Sequence, residues 1–277
     1  MENASSQTFV AVDEASLKEG MILDRPLYIF LERNQRFVRL ANALHPLEER
    51  VFSKLRKSGK IFSTIEPSET RYPRLTAAAK NVRALCEDRD AAPFEKNRET
   101  RAALKPVIEI VFQNDADGLT LNEPVAAVLF MHLVLGVPAA GTLRCLEDRS
   151  VEAYERGIKC AAVCGIFALL LGYADTGLLR QYISAVFCSE LHALGDAEVS
   201  LPEKFDVRFS GILDGAEADT AGASNDELRD LMAVAREVAA GSIAPVTRAY
   251  RKIRRLFAAA SAAAPPEALG SALEAAA

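Results

Sequence analysis

Between Phe9 and Ile65 the apolar residues fall in short alternating runs separated by polar breaks. This spacing predicts strands over Phe9 to Val12, Leu27 to Leu31, Phe37 to Leu40 and Ile61 to Ile65. Lys18-Glu19-Gly20 and Glu32-Arg33-Asn34-Gln35 read as the turns between them. Before the last strand the period changes to that of a helix: Pro46 suits a first turn, Leu47, Val51, Phe52 and Leu55 share one face, Lys54, Arg56 and Lys57 close it, and Gly59 stops it. Together these make a small α/β unit over residues 1–70.

Two prolines between Glu66 and Pro73 interrupt every apolar period, which places a boundary there. Beyond it the period is helical throughout. Helices are expected at Thr76 to Asp88, Lys96 to Gln113, Glu123 to Leu135, Val151 to Leu171, Thr176 to Leu194, Asp226 to Ala240 and Pro245 to Ala260. Asn122 is the expected cap of the third and Gly136-Val137-Pro138 its stop. Asp115-Ala116-Asp117-Gly118 lacks the remaining ligand positions of a calcium loop and reads as a turn. Asp206 to Ser224, rich in Gly, Asp and Ala, reads as a long loop, and residues 261–277 as a frayed Ala-rich tail. The fold class is mainly α with a small α/β N-terminal domain, the helical body running over 75–260.

Composition narrows the function. A net charge of -5 and a pI near 5.5 argue against a general nucleic-acid binder and give no support to DNA as a partner, while leaving room for a local basic patch. The opening residues carry no basic and apolar pattern of a secretory signal, and the longest apolar runs fall short of the roughly 20 residues that span a bilayer. Five cysteines without a C-x-x-C pair fit reduced thiols in a cytoplasmic protein.

The stretch from Leu143 to Lys204 holds two long helices joined by LGYADTG. It resembles the HD-GYP family of cyclic di-GMP phosphodiesterases, in which a helix leads through a leucine-glycine turn to a second helix ending in His-Asp-x-Gly-Lys. The segment KEGMILDRPLYIFLERNQRFVRLANALHPLEERVFSKLRKSGKIF is similar to the small domain that often precedes HD-GYP modules. The resemblance implies a helical HD-like bundle. It also places Arg156 where the family has a first metal-ligand histidine, Ser189-Glu190 where it has His-Asp, and His192 and Ala193 where the Gly and Lys follow.

Arg156 is a permanent cation and cannot ligate a metal. The chain has only three histidines, His45, His132 and His192, and Gly172-Tyr173-Ala174 belongs to the interhelix turn. No catalytic residue, metal ligand or cofactor is therefore assigned. Ser189, Glu190 and His192 are either the remnant of a single-metal site or ordinary helix-end polar residues, and positions two apart on a helix diverge by about 200°. Arg156 with Lys159 is either a counter-charge for a phosphate or an internal partner of Glu190. Cys160, Cys164 and Cys188 are either a thiol cluster or core packing. Arg248, Arg251, Lys252 and Arg255 line the polar side of an amphipathic helix, as an anion-binding face or as a solvated one.

Three functions follow as expectations: a catalytically inactive HD-GYP-like regulatory protein acting through a protein partner or self-association; a cyclic dinucleotide receptor that does not hydrolyse its ligand; and an atypical phosphodiesterase.

Overall fold

The structure, a computed structural model, describes residues 8–64, 72–115, 118–136, 140–195, 223–240 and 248–262. Most of them are helical, and the chain begins with a small antiparallel sheet.

Strands β1 (Val10–Val12), β2 (Leu27–Leu31), β3 (Arg36–Ala41) and β4 (Ile61–Ser63) form one four-stranded sheet in the order β1-β4-β2-β3. All neighbours are antiparallel, with Ile29 opposite both Val38 and Ile61, and Val12 opposite Ile61. Side chains alternate across a strand, so Val12, Leu27, Ile29 and Ile61 share a face. Helix α1 (Glu49–Ser58) covers it through Leu55, Val51 and Phe52, and Leu17, Leu23 and Leu47 complete this first hydrophobic cluster. Gly59 ends α1 at φ 69°, a left-handed conformation that glycine adopts at little cost.

The helix start lies later than the sequence suggests. Pro46 is buried and bridges Ile22, because the amides of Leu23 and Leu47 donate to the carbonyls of His45 and Met21. This ladder keeps the chain out of the helix until Glu48 opens it.

The helical body consists of α2 (Pro73–Glu87), α3 (Pro93–Val111), α4 (Pro124–Leu135), α5 (Ala140–Arg149), α6 (Val151–Leu171), α7 (Thr176–Ala193), α8 (Ala223–Ala239) and α9 (Arg248–Ala262). Proline opens α2, α3 and α4, where its missing N–H would have no helical partner. Helix α6 is the axis of the body: it packs on α3, α4, α5, α7, α8 and α9 and is buried along most of its length. Ser150 Oγ accepts from Ala153 N at its start, and Asp175 Oδ1 accepts from Leu178 N at the start of α7.

Four expectations need correction. Residues after Val111 leave the helix and form a hairpin, β5 (Phe112–Asp115) with β6 (Gly118–Leu121), whose tip pairs Asp115 with Gly118. Asn122 does not cap α4: Glu123 stands at the cap position, without a side-chain cap bond, and the amides of both residues donate to the Val111 carbonyl. Helix α5 was not expected. Ser224 lies inside α8 rather than in a loop, while 206–222 and 263–277 are outside the described residues.

The N-terminal unit is docked on the bundle. Ile22 and Leu44 belong to the main hydrophobic cluster, and the Tyr154 hydroxyl of α6 donates to the Leu44 carbonyl. His45 Nδ1 lies 2.5 Å from Glu147 Oε1 of α5, and its ring lies 4.8 Å from that of Tyr154. Among the described residues, no helix is long and apolar enough to cross a membrane.

Candidate functional site: a carboxylate clamped by two arginines

Helices α6 and α7 lie side by side, joined by residues 172–175, so the start of α6 meets the end of α7. At that end Glu190 is 2% exposed. Room for it is made by Gly157, one residue after Arg156: a Cβ there would lie 3.4 Å from Glu190 Cγ. A buried carboxylate must be compensated. Arg156 Nε donates to Glu190 Oε2 at 2.9 Å from α6, and Arg236 Nε donates to Oε1 at 3.1 Å from α8. Arg236 Nη2 also donates to Ser189 Oγ at 2.9 Å, and that hydroxyl donates to the Val186 carbonyl at 2.8 Å.

The structure thus brings Arg156, Ser189 and Glu190 together and shows the Arg156–Glu190 pairing considered from the sequence. Arg236 was missed. Its signal was available only as one cation on the inner side of an amphipathic helix, with nothing to say which helix it would meet. Both carboxylate oxygens of Glu190 are occupied by charge-assisted bonds, so a ligand that needs that carboxylate would have to displace a guanidinium.

His192 is not part of the cluster. It is exposed in the last turn of α7, as the divergence of positions two apart demands. Lys159 is half-buried, 4.0 Å from Glu155 Oε2 on its own helix. Arg251 and Arg255 are exposed on α9, and the side chains of Arg248 and Lys252 lie outside the described residues. The apolar side of α9 sets Phe257 against Phe112 and Phe167. Phe167 is about three turns along α6 from Arg156, so α9 does not extend the cluster.

The cysteines do not form one group either. Cys160 and Cys164 are fully buried neighbours on α6, and the Cys160 thiol is pushed well up by its hydrogen bond with Cys164, by burial and by the Glu190 carboxylate. Cys188 is also buried, but its thiol is hydrogen-bonded to Thr142 of α5. Among the described residues, no three His, Cys, Asp or Glu side chains converge in a way that could hold a metal ion.

Hollows lie elsewhere. An apolar pocket of about 30 Å³ is lined by Ile22, Met131, His132, Ile158 and Phe187, where the N-terminal unit meets the bundle. An open polar groove of about 680 Å³ lies between the end of α2, the start of α3 and the α6–α7 turn.

Comparison with protein-family models, with curated proteins and with solved structures found no match for the chain.

Proposed function

We propose that the chain is a non-catalytic regulatory module of HD-GYP-like architecture that acts by engaging a protein partner or a second copy of itself in the cytoplasm. The observation that carries this reading is the clamp. At the positions the resemblance assigns to metal ligands stand a guanidinium, a hydroxyl and a carboxylate, and the carboxylate has both oxygens committed to Arg156 and Arg236. Activation of water by a bound cation needs imidazoles and carboxylates free to coordinate it. Here the cation is supplied by the protein itself, and the three helices are tied together in place of a reaction centre.

Metal analysis tests this directly. Protein purified after exposure to manganese and iron is expected to retain far less than one equivalent of either. A stoichiometric metal that is lost on Glu190→Ala would overturn the reading.

A second reading has an observation of its own: the side chains of Arg156 and Arg236 are 47% and 39% exposed, so part of each guanidinium faces solvent. On this reading the pair holds a phosphate of a cyclic dinucleotide without cleaving it. Saturable heat on titration with cyclic di-GMP, lost in Arg156→Ala, would favour it over the partner-binding scaffold.

A further inference from the structure

The face of the N-terminal sheet turned away from α1 carries aromatic rings where a solvent face ordinarily carries polar side chains. Alternation along the strands puts Tyr28 and Phe30 of β2, Phe37 and Arg39 of β3, and Ala11 and Phe62 opposite the Leu27, Ile29 and Ile61 side. Phe9 lies over this face, its ring stacked on Phe37 with centroids 3.6 Å apart and planes 10° apart. Phe9 also meets Tyr28 edge-on at 5.2 Å, and Phe37 meets Phe30 at 4.9 Å and Phe62 at 5.1 Å. All five rings are half-buried, with part of each open to solvent.

Cations frame this patch. Arg39 is the cross-strand partner of Tyr28 on this face, and Arg33 stands in the turn at the hairpin end of the same ribbon, whereas Arg36 alternates to the opposite face with Val38. Arg33 and Arg39 are exposed, and neither makes an ion pair among the described residues. Strand β3 is also a free edge of the sheet.

Flat rings beside unpaired guanidiniums match a ligand that alternates aromatic planes with phosphates. We propose that this face binds single-stranded nucleic acid, with bases stacking on the exposed rings and the backbone running past Arg33 and Arg39. A second copy of the chain fits less well, because pairing through β3 would bring together two strands that each carry Arg36 and Arg39. The overall charge of -5 does not oppose the reading, since the cations are local and screening confines each charge to roughly 10 Å. The proposal goes beyond the regulatory reading and does not depend on the Glu190 clamp.

The test is fluorescence anisotropy of the full chain with a labelled oligouridylate of about twelve nucleotides. Saturable binding is expected, and two phosphate contacts imply roughly sevenfold weaker affinity between about 50 and about 200 mM salt. Arg33→Glu with Arg39→Glu is expected to weaken binding at least about tenfold while circular dichroism is unchanged, these side chains being exposed. Tyr28→Ala is expected to weaken it and Tyr28→Phe to restore it, since stacking needs the ring and not the hydroxyl. No binding at low salt would overturn the proposal, as would binding indifferent to the arginine reversals. Equal displacement by an oligoglutamate peptide would also overturn it, by showing an anion patch suited to acidic protein instead. Arg156→Ala is expected to leave the oligonucleotide affinity unchanged, which separates this result from the fate of the clamp.

Discussion

Removing the arginines from Glu190 one at a time and then together measures what the clamp contributes. Hydrogen bonds to charged groups are worth about 1.5–3 kcal/mol when buried. Arg156 and Arg236 are more than a third exposed, so solvent screening reduces that value. Arg156→Ala, which loses one bond, should cost about 1 kcal/mol. Arg236→Ala, which loses one bond to Glu190 and one to Ser189, should cost about 2 kcal/mol. In each single variant the remaining guanidinium still compensates the carboxylate. In the double variant a charge that is 97% buried at its side chain is left alone, and the cost should rise to about 5 kcal/mol, more than the two singles added. For a chain of this size that corresponds to a fall in melting temperature of roughly 10 °C or more. Glu190→Gln, introduced into the double variant, should recover part of the loss by removing the stranded charge. Thermal and urea denaturation followed by circular dichroism read all four proteins. A double variant no less stable than the Arg236→Ala protein would refute the reasoning, and so would a further loss on adding Glu190→Gln.

Three other perturbations probe the surrounding fold. Gly172 ends α6 at φ 101° with the Asn97 side chain 2.7 Å from where a Cβ would stand, so Gly172→Ala should cost about 2 kcal/mol in denaturation, whereas Gly59→Ala, left-handed but in open space, should cost less. Of the five cysteines only Cys145 is exposed, so a thiol reagent at neutral pH should label one sulfur in the native protein and all five after unfolding; Cys86, raised by burial to about 11, should be among the unreactive ones. Burial holds His132 below its ordinary value, so the unfolded chain takes up its proton first; this group's contribution to stability is complete above about 6.5 and is lost as pH falls through the lower folded value. His132→Leu should accordingly flatten the acid side of a melting temperature against pH profile, and an unchanged profile would count against that assignment.

Local signals and long-range ones differ sharply in how far the sequence reveals them. Helices α6 and α7 and the stop at Gly59 follow from residues within a few positions of each other, and they were legible. The hairpin after Val111 was not, because Phe112 continues the apolar period of α3 and only the exchange of hydrogen bonds with residues 118–121 pulls the chain into a strand. Pro46 misled for a similar reason: its local preference favours a helix start, but pairing with residues 21–23 overrides it. At the site itself the resemblance to a helix pair fixed which positions face each other, so Arg156 and Glu190 could be matched across the turn. Arg236 comes from a helix beyond residue 196, and nothing in its own segment reports the carboxylate that it meets.

The aromatic face illustrates the opposite case. Phe9, Tyr28, Phe30, Phe37 and Phe62 lie within predicted strands, yet as isolated letters they read as core. Only the strand order, with α1 occupying the other face, turns them outward.

The claim on which the account rests is that the clamped Glu190 replaces a reaction centre. Its most direct test is the hydrolysis of cyclic di-GMP by the purified protein with manganese present, followed by chromatography of the products beside the Glu190→Ala variant. No linear dinucleotide or mononucleotide above the protein-free control is expected in either sample. Turnover by the parent protein that Glu190→Ala abolishes would contradict it.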